Sequence, residues 1–378
     1  MKKSILLSFA YSVTGILLFL LLSIPGCSQQ EPGLKDIFKD YFLIGTALNP
    51  NQLSGRDPLA HSFIIKHFNT ITSEDHMKWE KIHPLPDKYD FTIADSLVAF
   101  GKRNNMFING HVLVWHSQTP DWVYQDSLGN PLTREALLAR MKDHIFTVVG
   151  RYKGKVDGWD VVNEAIDDDG QMRKTKYYEI IGEDYVQKAF EFAHEADPDA
   201  ELYYNDYNIE VPLKREGVIK LLKKLQDQGV RIDGVGLQGH YMLDFPTLAD
   251  IDSSIRIYSD MGFKIMITEL DVDVLPSIWD QAYADIAMTA EYSEKMNPYP
   301  NGLPDSVQNQ LTTRYEDLFK TFVKYKDVID RVTFWGLHDG YSWKNNWPIF
   351  GRTNYSLLFD TKYQPKPAYY AVIKTAGR

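Results

Sequence analysis

Eight short apolar runs alternate with helix-patterned stretches, polar residues collect at the C-terminal ends of those runs, and no glycine-rich phosphate loop follows the first. These features predict an α/β chain folded as a single (β/α)8 TIM barrel. Parallel strands buried on both faces read as apolar runs, and reactive side chains of such a barrel gather where its strands end. An open doubly wound sheet would instead concentrate its site at one switch point, commonly with a GxGxxG or GxxxxGK[ST] element, and neither is present.

In chain order the expected strands are YFLIGTAL (41–48), FNTITSE (68–74), NMFINGHVLVW (105–115), VDGWDVVNE (156–164), AELYYNDYN (200–208), IDGVGLQGH (232–240), KIMITELD (264–271) and RVTFWGLHD (331–339). Among the crossovers, 134–152, 177–196 and 212–229 repeat their apolar residues at spacings near three and four, and Gly229 supplies a stop for the last. The Pro- and Gly-punctuated stretch MNPYPNGLPDSVQNQ (296–310) reads as a long loop inside the seventh crossover rather than a domain boundary. Residues that end or nearly end the apolar runs include Glu74, His111, Trp115, Asn163, Glu164, Asn205, Gln238, His240, Glu269, Asp271 and Asp339.

Of the 378 residues 44% are hydrophobic, enough for one large core. Asp and Glu number 51 against 41 Lys and Arg, a formal charge of −10 that repels phosphate backbones, so no nucleic-acid partner is expected. Cys27 is the lone cysteine, which excludes an intrachain disulfide and a cysteine-based zinc cluster. Lys2 and Lys3 precede the apolar ILLSFAYSVTGILLFLLLSIPG, the order of an export signal, and SIPGC resembles an imperfect bacterial lipoprotein cleavage box. We therefore expect 1–26 to be a lipoprotein-type signal peptide, with Cys27 acylated and inserted among membrane lipid. Residues 27–34 would then tether 35–378 to the cell envelope, on the periplasmic or surface side of an outer membrane. Ordinary secretion and a retained membrane anchor are the alternatives, since Pro25 and Gly26 depart from a tidy small-residue motif.

Glu164 ends run four in DVVNE and Glu269 closes run seven in ITELD, so a barrel would set both on one rim. Two such carboxylates can divide acid and nucleophile duties, as cleavage of a glycosidic bond requires. Gln238, His240 and Asp271 are placed to orient Glu269 and keep it charged, Asn163 to bind a sugar hydroxyl, and Trp115, Trp335, Trp343 and Tyr207 to stack on sugar rings. Each also has a structural reading as strand-end cap or core packing. His111, His116 and His240 lack an HExxH spacing and mix with amides and Trp, so neither a metal nor an organic cofactor is expected.

FNTITSEDHMKWE, NGHVLVWHSQTPDW, VDGWDVVNEAI, YYNDYN, GVGLQGHY, ITELDV and FWGLHDGYSW resemble, in order, the successive signatures of glycoside hydrolase family 10. That family consists mainly of retaining endo-1,4-β-xylanases on a TIM barrel, and the resemblance implies xylan and xylo-oligosaccharides as substrates. It implies Glu164 as acid/base and Glu269 as nucleophile, with His111, Trp115, Asn163, Gln238, His240, Trp335 and Trp343 walling the sugar beside the cleaved bond. Glu74 and Lys78 would bind hydroxyls one sugar further toward the non-reducing end, and Tyr207 would face the aglycone. Asp75 departs from the Glu-Asn pair common in the family, and Asp cannot donate as an amide does. A cellulase or mixed-linkage glucanase, and a xylan-binding protein without turnover, are the alternatives.

Overall fold

The computed structural model describes residues 31–276 and 296–377. The export-like segment and Cys27 lie outside the described residues, as do residues 277–295 of the seventh crossover. Nine parallel strands are described: β1 (Leu43–Leu48), β2 (Thr70–Ser73), β3 (Phe107–Trp115), β4 (Gly158–Asn163), β5 (Glu201–Asp206), β6 (Gly234–Leu237), β7 (His240–Met242), β8 (Lys264–Asp273) and β9 (Ile329–Phe334). Strands β1 to β6 pair in sequence, β6 joins β8, β8 joins β9, and β9 returns to β1, so eight strands close into a ring. Helices between successive strands cover the outside, and the whole is the expected (β/α)8 TIM barrel.

Helix Arg134–Tyr152 matches the expected span, capped by the Thr133 side chain, and turns Leu137, Met141, Ile145, Val148 and Val149 inward. The expected 177–196 helix is two, Lys176–Ile181 and Tyr185–Ala196, because Gly182 adopts a φ of 102° and ends the first. Residues 305–310 of the expected loop already belong to helix Asp305–Lys324, which starts behind Pro304. The sixth expected strand is split between β6 and β7 at Gly239, whose φ is +81°. Beyond that break His240 lies in register with Asp271 of β8.

The barrel interior carries a polar column beneath the rim. Buried Arg331 donates to Asn109 Oδ1 at 3.0 Å, Asn109 Nδ2 donates to Asp160 Oδ2 at 2.8 Å, and His111 Nδ1 meets the same oxygen at 2.9 Å. Each buried polar group left unpaired would cost about 1–3 kcal/mol, so the column holds His111 in one orientation. Pairing irregularities cluster near the rim. The β3–β4 register shifts between His111 and Val114, β4–β5 between Asp160 and Val162, and β8–β9 between Ile267 and Leu270. Such bulges re-aim the side chains beside them, and they fall just before the polar ends of β3, β4 and β8.

The eighth run is strand only to Phe334, and the chain turns at Gly336 with a φ of 129°. Asp339 therefore leaves the rim. It is buried against Lys366, whose ammonium lies 2.9 Å from Asp339 Oδ2 and donates also to the Leu357 carbonyl, so this acid ties the last loop to the barrel.

Candidate active site

Glu164 follows β4 with a φ of 59°, a left-handed conformation that costs a non-glycine residue about 1–3 kcal/mol unless its surroundings fix it. Three bonds fix it here. The Glu164 amide donates to the Asn205 carbonyl at 2.9 Å, Arg173 Nε donates to the Glu164 carbonyl at 3.0 Å, and the next amide, of Ala165, donates to the Tyr204 hydroxyl at 3.2 Å. The carboxylate is thereby delivered into the barrel mouth. Its Oε2 accepts from Trp115 Nε1 at 2.9 Å, and its Oε1 accepts from Gln238 Nε2 at 3.0 Å and Asn163 Nδ2 at 3.2 Å.

Glu269, at the β8 bulge, is only 5% exposed. Its Oε1 accepts from Asn205 Nδ2 at 2.8 Å and its Oε2 lies 3.2 Å from His240 Nε2. Burial pushes this carboxyl up, but the bond and charge of His240, with the fields of His111 and Lys78, outweigh it and bring it down to about 2. His240 spans two carboxylates, since its Nδ1 is 3.1 Å from Asp271 Oδ1. Burial pulls the imidazole down, yet Asp271 and Glu269 raise it to about 9. Asp271 is completed by Trp343 Nε1 at 2.9 Å and Lys344 at 3.5 Å. Burial again raises its carboxyl, and the His240 and Lys344 charges with these bonds hold it below the ordinary aspartate range.

Asn163 and Asn205 link the two glutamates. Asn205 Nδ2 donates to Asn163 Oδ1 at 2.9 Å as well as to Glu269, and Gln238 Nε2 reaches the same Asn163 oxygen at 3.2 Å. Thr268 Oγ1 donates to Asn205 Oδ1 at 2.6 Å, which fixes which way that amide faces. Gly236 makes room for the pair: a Cβ there would lie 2.3 Å from Asn205 Oδ1 and 2.8 Å from Thr268 Cγ2.

Around these carboxylates stand the aromatic walls. Trp335 packs edge-on to His111 at 5.4 Å between ring centres and to His240 at 6.3 Å, while Trp343 stacks on Trp347 at 4.8 Å. The buried Lys78 places its ammonium 5.1 Å from the Trp115 ring and 6.0 Å from Trp335, with Asp75 Oδ1 at 3.1 Å. Glu74, bonded to Asn49, is pushed up to about 7 by burial and by Asp75, against the pull of Lys78. Burial also raises Asp75, but Lys78 and Gln118 leave it below its ordinary value. Tyr207 reaches the cluster through Arg173, whose Nη2 donates to its hydroxyl at 2.8 Å.

The structure thus gathers Lys78, His111, Trp115, Asn163, Glu164, Gln238, His240, Glu269, Asp271, Trp335 and Trp343 at one end of the barrel, with Glu74 beside Lys78 and Tyr207 attached through Arg173. Asn205 stands in the sequence only as a rim residue with no assigned part, and Asn49 and Arg173 lie outside the apolar runs. For Asn205 the signal was present in its strand-end place. Among the described residues no group of three or more His, Cys, Asp or Glu side chains is arranged to hold a metal ion.

Residues 33–375 match the model of Glycosyl hydrolase family 10. Endo-1,4-beta-xylanase A of Xylanibacter ruminicola is 48% identical over 355 residues, spanning 94% of this chain and 96% of that protein. The endo-1,4-beta-xylanase of Geobacillus stearothermophilus is 43% identical over 90% of this chain and 98% of its own length. Among solved structures, a GH10 endoxylanase retrieved from sugarcane soil metagenome superposes with a TM-score of 0.87 at 45% identity, covering 92% of this chain and 100% of that one. A mutant structure in complex with xylotriose superposes at 0.81 with 36% identity, over 91% and 99% of the two chains. On both sequence and structure, the chain belongs to glycosyl hydrolase family 10.

Proposed function

We propose that this protein is an endo-1,4-β-xylanase that cleaves internal bonds of xylan with retention of configuration, by double displacement. The observation that carries the reading is the contrast between its two buried carboxylates. Glu269 is held ionised by a charged imidazole, as a nucleophile must be, whereas every hydrogen bond described to the Glu164 carboxyl group comes from a neutral indole or amide. The names of its relatives support the substrate.

In this mechanism Glu269 attacks the anomeric carbon of an internal xylosyl unit while Glu164 protonates the departing O4. Glu164, now a carboxylate, takes a proton from the water that releases the covalent xylosyl enzyme. Such a sequence asks for carboxylates about 5–5.5 Å apart. Side-chain amides of Asn163 and Asn205 run between the two carboxyl groups. Trp115, Trp335 and Trp343 supply stacking surfaces for pyranose faces, and Lys78 with Glu74 supplies hydroxyl partners further along the chain. Proton NMR of early products from xylan tests the proposal. The β-anomer should appear first and mixed-linkage β-glucan should be cleaved poorly; initial α-anomer, or preference for the glucan, contradicts it.

From the sequence we further propose export and acylation at Cys27, bringing membrane lipid as a second partner. Mass spectrometry of the native N-terminus checks this: a diacylglyceryl-modified Cys27 is expected, and an unmodified residue 28 or an intact residue 1 overturns it.

A further inference from the structure

Between β4 and helix Lys176–Ile181 the chain folds back on itself. Ile166 bridges Met172 in antiparallel fashion, the Asp167–Gly170 turn closes the bend, and the Arg173 amide donates to the Ala165 carbonyl at 2.8 Å. Gly170 sits against the helix Pro212–Asp227 so closely that a Cβ there would be 2.6 Å from the Leu213 carbonyl oxygen. Arg173, its side chain 13% exposed, spends its three nitrogens on three different groups. Nε donates to the Glu164 carbonyl at 3.0 Å, Nη2 to the Tyr207 hydroxyl at 2.8 Å, and Nη1 lies 2.8 Å from Asp167 Oδ1.

Tyr207 is held from its other side as well. The ammonium of fully buried Lys214 lies 3.3 Å from the Tyr207 ring centre and 2.9 Å from Asp206 Oδ1. Asp206 in turn accepts from the Tyr207 amide at 2.9 Å and from the Tyr204 hydroxyl at 2.6 Å, the hydroxyl that receives the Ala165 amide. The left-handed turn at Glu164 and the Tyr207 ring thus share one hydrogen-bonded frame, and Arg173 is the side chain that touches both.

The geometry points to Arg173 as a positioning residue for leaving-group departure. It locks the backbone that aims Glu164 to the Tyr207 ring, so that, with Tyr207 read as the aglycone-side ring, the proton donor and the departing sugar keep one register. This rests on the reading of Glu164 as acid/base. A guanidinium is suited to the task because its fixed fork addresses a carbonyl and a hydroxyl at once, whereas an ammonium is a single point.

The test compares kcat/KM of Arg173→Met, Arg173→Lys, Tyr207→Phe and the Met/Phe double variant on xylohexaose and on dinitrophenyl β-xylobioside, whose leaving group needs little protonation. Misplacing a catalytic group by an ångström costs roughly 10²-fold, and we expect Arg173→Met to lose on the order of tenfold or more on xylohexaose and under about threefold on the aryl substrate. Arg173→Lys should recover part of that loss, and the double variant should lose no more than Arg173→Met alone, since coupled sites are not additive. Equal losses on both substrates, or additive effects in the double variant, overturn the proposal. Glu164→Ala in parallel separates the two ideas. If it shows the leaving-group dependence and Arg173→Met does not, the positioning role fails alone; if it too loses equally on both substrates, the acid/base reading fails.

Discussion

Replacing His240 by Asn should shift the acid limb of activity. In the intact site Glu269 stands at about 2 rather than 4.5, and each pH unit of that displacement is 1.36 kcal/mol, so its surroundings favour the carboxylate by on the order of 3 kcal/mol. Burial works the other way, and the His240 hydrogen bond is the foremost influence opposing it. Asn keeps a neutral donor but removes the cation, leaving burial opposed by His111 and Lys78 and by the Asn205 bond. We therefore expect the acid limb of kcat/KM on an aryl xylobioside to move upward, by on the order of one pH unit or less, while the wild type stays near its plateau at about pH 4. Stability offers a second readout with a defined sign. His240 stands at about 9 folded against 6.5 unfolded, so its contribution is complete below about 6.5 and fades as pH rises through 9. The wild-type advantage over the variant in denaturant titrations should shrink across that window. Superimposable acid limbs would refute the claim that the imidazolium holds Glu269 ionised.

Three other outcomes follow from the same geometry. Asn205→Ala removes a bond to the Glu269 carboxylate and orphans Thr268 and Asn163, so it should cost about 2 kcal/mol in kcat/KM, roughly 30-fold, measured on xylohexaose. Glu74 is raised to about 7 from 4.5, so its ionisation weakens the fold as pH climbs from about 4.5 through 7; Glu74→Gln should raise Tm at pH 8 and leave it unchanged at pH 4, by calorimetry. Lys366→Met strands the Asp339 carboxylate and the Leu357 carbonyl away from the cleft, so it should destabilise by about 3–5 kcal/mol in denaturant unfolding while kcat on xylan at 25 °C is retained.

The strands and the two carboxylates were legible because both signals are local. An apolar run bounded by polar residues marks a buried parallel strand, and Glu164 and Glu269 sit where such runs end. What stayed hidden depends on single backbone torsions or on distant partners. Gly182 and Gly239 each interrupt an element through a positive φ that the apolar pattern around them does not reveal. Asp339 reads as a rim residue until the chain turns at Gly336 and carries it to Lys366. Asn205 acquires its part only because Thr268, 63 residues later, orients its amide toward Glu269. Arg173 looks like a loop cation, and only the bend at Gly170 returns it to the Glu164 carbonyl.

Glu269 is the proposed nucleophile of a covalent intermediate. Incubation with a 2-deoxy-2-fluoro-β-xylobiosyl donor bearing a good leaving group, followed by proteolysis and peptide mass spectrometry, addresses it directly. A single xylobiosyl adduct on Glu269, formed as activity is lost, is the predicted result. An adduct on another carboxylate, or unlabelled enzyme that turns the donor over to the inverted sugar, would contradict it.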